Sequence, residues 1–356
     1  MHPGDEPNDI ILYGKAGVGK TAVTRYILNE LCKATEEHDI AKPVHVHWHN
    51  CNRESIFSTI RTLLNNYLPD NVEKVPERGF SYSNIRDRFF DTIDATDENH
   101  IIVLDEIDHL DGVNELLYDI TRARSNEHLI DAHIVVIGIS NNYRFRSQLS
   151  PKVQSSFQED EIRFSTYNAD ELRGILEERA KLAFYHDTYD DSALALAAAV
   201  ASKDTGSARQ AIDLLRKGGE IAEREVTSTP YITESDIKKA REEVKRGRLS
   251  DKISDQPAHT RLALEAIAHL DLHNKTPVKS KVIKKSYEET AEKYGEEPLT
   301  TLEGLRNHLS DLVMLGFLTQ EEDNQGRAGG RSNVYSLNMD SSVVIELCEE
   351  IQAQMI

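Results

Sequence analysis

The 356-residue chain has only three cysteines and no long apolar run, and each shortage excludes a class of protein. Cys32, Cys51 and Cys348 stand far apart, which indicates neither a disulfide framework nor a zinc site. No apolar run approaches the roughly 20 residues of a membrane-spanning helix, and the amino end lacks the pattern of a secretion signal. With 39% hydrophobic and 29% charged residues, we expect a globular cytoplasmic protein without a membrane partner.

Positive charge is also scarce, because 42 Lys and Arg stand against 61 Asp and Glu, a formal charge of −19. A nucleic-acid-binding protein should be basic where it touches phosphate. Two interpretations follow: the protein binds no DNA, or it comes from a salt-rich cell in which surface carboxylates maintain solubility. Acidic pairs at 36–37, 288–289 and 296–297 are spread along the chain rather than packed in one tail, which favours the second.

What the chain does contain is a complete phosphate-binding loop near its amino end. The pattern G-x-x-x-x-G-K-T lies between the apolar run 9–13, a predicted strand, and residues 21–33, a predicted helix. Glycines let several backbone N–H groups converge on a polyphosphate, and the helix N-terminus adds partial positive charge. Lys20 would reach the β- and γ-phosphates, and the Thr21 hydroxyl would hold Mg²⁺. The residues predicted to bind ATP in this loop are Gly14, Lys15, Ala16, Gly17, Val18, Gly19, Lys20 and Thr21.

An acidic pair, Asp105 and Glu106, follows the apolar run 101–104. This pattern predicts a central parallel strand, and ligands of open α/β sheets collect at the carboxyl ends of such strands. We predict that Asp105 orients water on Mg²⁺ and that Glu106 is the general base or positions water for attack on the γ-phosphorus. Alone, the pair would fit the start of an ordinary loop equally well; the phosphate-binding loop favours the catalytic interpretation.

Two further polar positions complete the predicted nucleotide site. Residues 133–139 form a third predicted strand, and Asn141 follows it, beside the position that a γ-phosphate takes in sheets of this kind. Residues 206–216 start a predicted helix with Arg209 in its first turn. Taken alone, an arginine there is more often a solvated surface charge.

The order of these motifs resembles that of AAA+ ATPases, and their details resemble the archaeal origin-recognition (Orc/Cdc-type) replication initiators. The resemblance covers nearly the whole chain. It implies that Asn141 is a first sensor residue and that Arg209 is a second, which contacts the γ-phosphate from a helical lid. The segments that carry the resemblance are 11–15, 103–108, 137–141, 149–156 and 206–209.

The chain departs from this family in two places. Only residues 1–9 precede the first predicted strand, whereas these initiators usually carry an additional segment that helps enclose the adenine. This indicates a truncated copy or a misplaced start, and it leaves the nucleotide affinity open. Lys152 stands in the stretch where the family often has an arginine that acts in trans, and lysine lacks the planar fork of arginine. A plain surface lysine is the favoured interpretation of Lys152.

The sequence predicts three domains. Residues 1–165 alternate strands and helices, as a parallel-sheet AAA+ nucleotide-binding domain of the α/β class requires. Residues 166–250 have helical patterns throughout and would be the lid. The polar stretch 249–257 is the best domain boundary, and 251–356 would be the third domain.

The third domain has the pattern of an α+β winged helix-turn-helix. Helices are predicted at 262–270, 278–294 and 300–315, followed by strands at 316–319 and 333–337 around a basic loop. The third helix would enter the major groove, and the loop would reach backbone or minor groove. Winged helices also serve as protein-interaction modules, an alternative that the loop arginines disfavour. The predicted DNA contacts are Arg306, Asn307, Arg327, Arg331 and Lys279.

Three histidines alternate along the predicted strand 44–49. His45, His47 and His49 would point to one side of that strand, because successive side chains alternate between its faces. A metal site there is an open alternative, but the pattern indicates no further ligand group.

These observations predict an ATP- and Mg²⁺-dependent initiator of DNA replication. It would recognise double-stranded origin DNA and help load the replicative helicase, together with other initiator subunits, and slow ATP hydrolysis would reset it. One alternative is a regulatory ATPase with a DNA-binding tail, which acts in transcription or plasmid maintenance. Another is a paralogue that binds DNA without hydrolysing ATP.

Overall fold

The computed structural model describes residues 8–37, 42–68, 72–157, 159–225, 230–324 and 331–355. The chain divides into two compact units, Met1–Ile237 and Lys238–Ile356. Among the described residues, no helix combines the length and the apolar character needed to cross a bilayer. The first unit has 25 Lys and Arg against 41 Asp and Glu, and the second has 17 against 20. The acidic excess therefore lies almost wholly in the first unit.

The first unit is built on a five-stranded parallel sheet in which the strands follow the order β2-β3-β4-β1-β5. Because the strands run in parallel, their carboxyl ends meet at one edge, where Tyr13, Asp105 and Ser140 end their strands. The strands are β1 (Asp9–Tyr13), β2 (Val44–Asn50), β3 (Asn99–Asp105), β4 (His133–Ser140) and β5 (Glu159–Arg163).

In the described part of the first unit, six α-helices connect these strands. Ser55 and Ser81 cap the N-termini of α2 and α3, each accepting a hydrogen bond from the backbone N–H three residues on. Side chains such as Phe89 and Phe90 are fully buried against the sheet and form the main core of the unit. The helices are α1 (Lys20–Glu37), α2 (Ile56–Tyr67), α3 (Tyr82–Asp94), α4 (Val113–Thr121), α5 (Phe145–Gln148) and α6 (Pro151–Ser156).

The remainder of the first unit, as far as the structure describes it, is mostly helical. Asn168 and Glu171 form a reciprocal capping box at the start of α7, which fixes where that helix begins. Ala193, Ala197 and Ala201 are buried on α8, and their small side chains allow close packing between helices. The helices of this lid are α7 (Ala169–Ala183), α8 (Asp191–Asp204) and α9 (Ala208–Glu225).

The second unit has a separate hydrophobic core around α11, whose residues from Leu262 to Ala268 are all buried. A three-stranded antiparallel sheet of order β6-β8-β7 packs beside it. The winged helix-turn-helix prediction is confirmed. The elements are α10 (Glu234–Ser254), which begins in the first unit, α11 (Ala258–Leu272), β6 (Val278–Lys279), α12 (Ser280–Lys293), α13 (Leu302–Met314), β7 (Leu318–Asn324), β8 (Arg331–Leu337) and α14 (Ser341–Met355).

Several elements of the structure differ from the sequence prediction. Helix α10 runs unbroken to Ser254, through the first part of the polar stretch 249–257 that was predicted to separate two domains. Polar residues on a helix surface and polar residues in a linker have the same composition, so composition alone is ambiguous. Residues 278–279 are a strand rather than the start of a helix, and β5 and α14 have no counterpart in the prediction.

Candidate functional site

The loop between β1 and α1 curls tightly, and its glycines permit this. Gly17 has a φ of +80°, and a Cβ at that position would clash with the Ser207 side chain. A Cβ at Gly14 would lie 2.7 Å from the carbonyl oxygen of Phe164. Larger residues would push the loop away from the sheet edge and from the lid residue Ser207.

Lys20 is the first residue of α1 and is only 6% exposed. Its ammonium donates to the carbonyl oxygens of Gly14 (2.7 Å) and Lys15 (3.0 Å) and to Asn141 Oδ1 (2.9 Å). Burial lowers the pKa of Lys20, while the negative charge of Asp105 opposes that shift. The result is a cation held rigidly at the centre of the loop.

Thr21 and Asp105 join the loop to the end of β3. The Thr21 hydroxyl donates to Asp105 Oδ2 at 3.0 Å, and the Asp105 residue is 8% exposed. A hydroxyl next to a carboxylate provides the oxygen ligands that Mg²⁺ prefers. Glu106 follows with a left-handed backbone (φ +57°), which turns the chain away from the strand and places Glu106 at the same cavity.

Asn141 lies at the end of β4 and connects two parts of the site. Its amide oxygen accepts from Lys20, and its backbone N–H donates to Asp108 Oδ1 at 3.4 Å. The side chain of Asp108 is 8% exposed. Asn141 is thus coupled both to the loop lysine and to the segment that follows the acidic pair.

The lid closes the site from the other side. Tyr167 donates its hydroxyl to the carbonyl oxygen of Val18 at 3.0 Å, and the backbone N–H of Arg209 donates to that of Gly17 at 3.4 Å. A cavity of about 640 Å³ lies between loop and lid. Its walls include Arg209, in the first turn of α9, and Arg179 of α7.

The cavity brings together residues that are far apart in sequence. Gly14, Lys15 and Val18 do not line it and contribute backbone carbonyls to Lys20 and Tyr167 instead. The predicted site residues that do line the cavity are Ala16, Gly17, Gly19, Lys20, Thr21, Asp105, Glu106, Asn141 and Arg209. This donor set fits a polyphosphate with a divalent cation: a lysine, a lid arginine, a helix N-terminus and a hydroxyl–carboxylate pair.

The predicted DNA-contacting residues lie on the second unit. Arg306 and Asn307 are exposed on α13, and Arg306 Nε donates to Ser280 Oγ at 3.3 Å. Lys279 pairs with Asp323 at 3.0 Å, which lessens its net positive charge. Arg327 lies outside the described residues, and Arg331 begins β8 with a side chain that the structure does not describe.

Family models match three successive parts of this chain. The AAA domain matches residues 5–144, the Cdc6 AAA+ ATPase-type lid domain matches 173–242, and the CDC6 C-terminal winged helix domain matches 251–347. The ORC1-type DNA replication protein 11 of Haloarcula marismortui is 40% identical over 98% of this chain and 83% of its own length. The chain belongs to the ORC1-type DNA replication proteins. A second member, protein 8 of Halobacterium salinarum, is 39% identical over 96% of the chain and 86% of its length.

Solved structures of this family agree in fold. The Aeropyrum pernix ORC1 protein in complex with DNA is 32% identical, with a TM-score of 0.76 over 99% of this chain and 90% of that one. The Aeropyrum pernix ORC2 protein in its ADPNP–ADP complexes has a TM-score of 0.57 at 18% identity, covering 98% of this chain and 89% of that one. The second likeness shows the shared fold alone. The predicted family and the predicted AAA+, lid and winged-helix architecture are confirmed.

Sequence reasoning missed three residues of the ORC1-type nucleotide site. Tyr167 contacts the loop, Arg179 lines the cavity, and the Asp108 carboxylate accepts a hydrogen bond from the Asn141 backbone. Tyr167 and Arg179 lie more than 140 positions after the loop, so no local pattern links them to it. The position of Asp108, two residues after the acidic pair, is the one signal that was present.

Two of the histidines of β2, His45 and His47, lie against the ring of His100 on β3. His45 pairs with Glu98 at 2.6 Å, and His47 contacts Tyr67, which also contacts His100. Among the described residues, the three histidines of β2 do not come together as a group able to hold a metal ion. His45 and His47 instead make ion-pair, hydrogen-bonding and ring contacts with Glu98, Tyr67 and His100.

Lys152, on α6, has its ammonium 4.6 Å from the centre of the Tyr118 ring. This cation–π contact holds the ammonium against Tyr118 of α4.

Proposed function

We propose that this protein is an ATP-dependent initiator of DNA replication, which binds double-stranded origin DNA and helps load the replicative helicase. The observation that carries the proposal is the single cavity in which the loop lysine, the acidic strand end and the lid arginine meet. The winged-helix unit of the same chain supports the DNA-binding part. The relative that is 32% identical was solved in complex with DNA, which adds to that support.

The nucleotide part of the proposal assigns a role to each side chain of the cavity. Lys20 and the loop amides hold the phosphates of ATP, and Thr21 and Asp105 hold Mg²⁺. Mg²⁺ would supply positive charge against the phosphate oxygens. Glu106 orients the attacking water, and Asn141 holds Lys20 in place. Slow hydrolysis fits a switch better than a metabolic ATPase.

In this proposal the lid is the part of the protein that responds to the bound nucleotide. Tyr167 and Arg209 contact the loop from the lid through separate hydrogen bonds, to Val18 and Gly17. A γ-phosphate that attracts the Arg209 guanidinium stabilises the closed lid, and its loss removes that attraction. The nucleotide state therefore biases the position of the lid.

The DNA part assigns the third helix of the winged unit to the major groove. Arg306 and Asn307 are side chains suited to hydrogen bonds with base edges. Lys279, Arg327 and Arg331 are proposed as phosphate or minor-groove contacts. In this proposal residues 1–165, 166–250 and 251–356 are the nucleotide-binding, lid and DNA-binding domains, and the helicase and other initiator subunits are further partners.

Nucleotide binding and hydrolysis test the first part. Lys20→Ala should abolish binding of a fluorescent ATP analogue, since it removes the buried cation. Glu106→Gln should retain binding and lose hydrolysis, because only the step that needs an oriented water is affected. Equal hydrolysis rates in wild type and Glu106→Gln would refute the role of Glu106. Failure of the wild type to bind adenine nucleotide at any salt concentration would refute the ATP-dependent function.

DNA binding tests the second part. Arg306→Ala and Asn307→Ala should each reduce the preference for a bound origin fragment over mixed-sequence duplex, by about 1–3 kcal/mol for each base that the variant can no longer read. Lys203→Ala, an exposed lysine of α8, is the control for Arg306→Ala because it removes one charge from the first unit. Sequence preference unchanged in both α13 variants would exclude α13 as the reading helix.

A further inference from the structure

Helix α10 carries a row of positive charge that no motif of this chain explains. Residues 238–252 contain seven Lys and Arg and three Asp and Glu, in a chain whose overall charge is −19. At 3.6 residues per turn, five of the cations fall within an arc of about 80° and extend over about 21 Å of helix. This basic stripe consists of Lys238, Arg241, Lys245, Arg248 and Lys252.

The arrangement of the stripe opposes helix stability. Each neighbouring pair in the stripe is three or four positions apart, so that like charges face one another, which destabilises a helix. Other surface helices of the chain place carboxylates at these spacings: Lys33 pairs with Glu30, and Lys181 pairs with Glu178. An ordinary solvated face would be expected to follow that pattern along its length.

Partners within the molecule neutralise this stripe only in part. Lys238 and Arg241 take part in other interactions, and Lys245 lies 3.4 Å from Glu242 in an exposed pair. Arg248 and Lys252 are exposed, and neither forms an ion pair with any other residue that the structure describes. The carboxyl-terminal half of the stripe therefore presents its charge to solvent.

The second unit holds this half of the helix in a fixed orientation. Arg246 donates to Glu346 at 2.9 Å and to Glu350 at 2.7 Å, both on α14. Ile253 is fully buried in the core of that unit, and Leu249 packs against the same core. Because these anchors lie on a different side of α10 from Arg248 and Lys252, the stripe has a set direction before any partner arrives.

We propose that the basic stripe of α10 binds the phosphate backbone of duplex DNA, as a contact surface separate from the helix-turn-helix and its wing. B-DNA presents about one negative charge per 1.7 Å of axis, so a stripe of this length faces many phosphates. The second unit, which carries the stripe, has nearly balanced charge, whereas the first is strongly acidic. The inference rests on the proposed DNA-binding function and adds a sequence-independent contact to it.

The test compares three triple variants with the wild-type full-length protein. In the first, Lys245→Gln, Arg248→Gln and Lys252→Gln neutralise the stripe. In the second, Lys245→Arg, Arg248→Lys and Lys252→Arg keep its charge. The third is a control of equal charge change in the first unit, with Lys33→Gln, Lys181→Gln and Lys203→Gln. Circular dichroism and urea midpoints establish that all three are folded.

Affinity for a 30-base-pair mixed-sequence duplex is then measured by fluorescence anisotropy over a range of KCl concentrations. Neutralising the stripe should make the slope of log K against log salt shallower by about 0.9 for each phosphate that the stripe no longer neutralises, up to about 2.7. The affinity for an origin fragment should fall by the same factor as the affinity for the mixed-sequence duplex. The charge-conserving variant and the first-unit control should keep the wild-type slope.

The outcomes separate this inference from the function on which it rests. A wild type that binds no duplex refutes the proposed DNA-binding function and the inference with it. A wild type that binds DNA while the neutralised variant keeps its slope refutes only the stripe. A first-unit control that changes the slope as much as the neutralised variant also refutes it, since overall charge would then explain the result.

Discussion

At the scale of single residues, the nucleotide site depends on side chains that hold other parts of the site in place. Tyr167 touches the loop through one hydrogen bond, from its hydroxyl to the carbonyl oxygen of Val18. Lys20 is held in the same way by Asn141 and by the loop carbonyls. Such residues fix where the phosphate-binding groups point.

Tyr167→Phe should weaken adenine nucleotide binding about fivefold, since one neutral hydrogen bond contributes about 1 kcal/mol. Titration with a fluorescent ADP analogue measures this. Tyr185→Phe is the matched control, because Tyr185 is 88% exposed and its substitution removes the same atom elsewhere in the lid. Equal affinities in both variants would show that the contact between Tyr167 and the loop does not position the site.

A second residue-scale feature is the pair His47 and His100, which share contacts with Tyr67. Burial, and after it the charge of neighbouring histidines, lowers the pKa of each to about 4. In the unfolded chain their pKa is about 6.5. Between pH 4 and pH 6.5 the unfolded state therefore binds more protons than the folded state. The stabilisation that comes from keeping these groups neutral is complete above pH 6.5 and is lost as the pH falls toward 4.

We predict that the urea midpoint of the first unit decreases as the pH is lowered from 6.5 to 5. This range lies above that in which most carboxylates titrate. His100→Gln should flatten this dependence, because one of the buried histidines whose pKa is lowered is gone. His186→Gln should leave it unchanged, since the His186 side chain is 92% exposed. The tryptophan fluorescence of Trp48, on β2, reports the transition. An identical pH profile in His100→Gln would contradict the assignment.

The sequence predicted these residues unequally, for a physical reason. Lys20, Thr21 and Asp105 stand in short patterns, because a phosphate needs several groups from one turn and one strand end. Tyr167 and Arg179 reach the same cavity through the packing of a distant helix, and packing of that kind leaves no local spacing to detect.

At the scale of elements, helix starts decide where the site residues point. Asn168 and Glu171 close the first turn of α7, the helix that brings Ile175 and Arg179 to the cavity. The start of this helix was predictable, since capping is a local pattern. The continuous helix α10 and the short strand β6 were not predicted, because their formation depends on packing within the folded chain.

Asn168→Ala should destabilise the first unit by about 1 kcal/mol, since it removes the side chain on which the capping box depends. Asp190→Ala is the control: Asp190 is the N-cap of α8, and its side chain makes no capping hydrogen bond. Urea unfolding followed by circular dichroism compares the two. A loss of the same size in Asp190→Ala would show that the capping box itself contributes little.

At the scale of the whole molecule, charge is divided unevenly between the two units. Residues 1–237 hold 25 Lys and Arg against 41 Asp and Glu, whereas residues 238–356 are close to balance. The sequence showed the total, but it did not show that the acidic excess avoids the winged-helix unit. That division removes much of the conflict between a charge of −19 and DNA binding.

We predict that KCl stabilises the first unit more than the second, because salt screens the repulsion among its surplus carboxylates. Trp48, the single tryptophan, reports the first unit, and circular dichroism reports the helices of both. When the buffer is changed from dilute to multimolar KCl, the Trp48 transition should move to a higher urea concentration. This shift should be larger than the shift of any circular dichroism transition that occurs at higher urea. Full stability in dilute buffer would contradict the salt-rich origin inferred from the composition.

One small element has a consequence for altering DNA recognition. Val278 and Lys279 pair with Tyr335 and Val334 of β8, and α12 starts at the next residue. Lys279 also forms an ion pair with Asp323 of β7. The hairpin is therefore connected to the start of α12 without an intervening loop. Grafting a foreign wing hairpin onto this fold would therefore change the tilt of α12 unless the register at these two residues were transplanted with it.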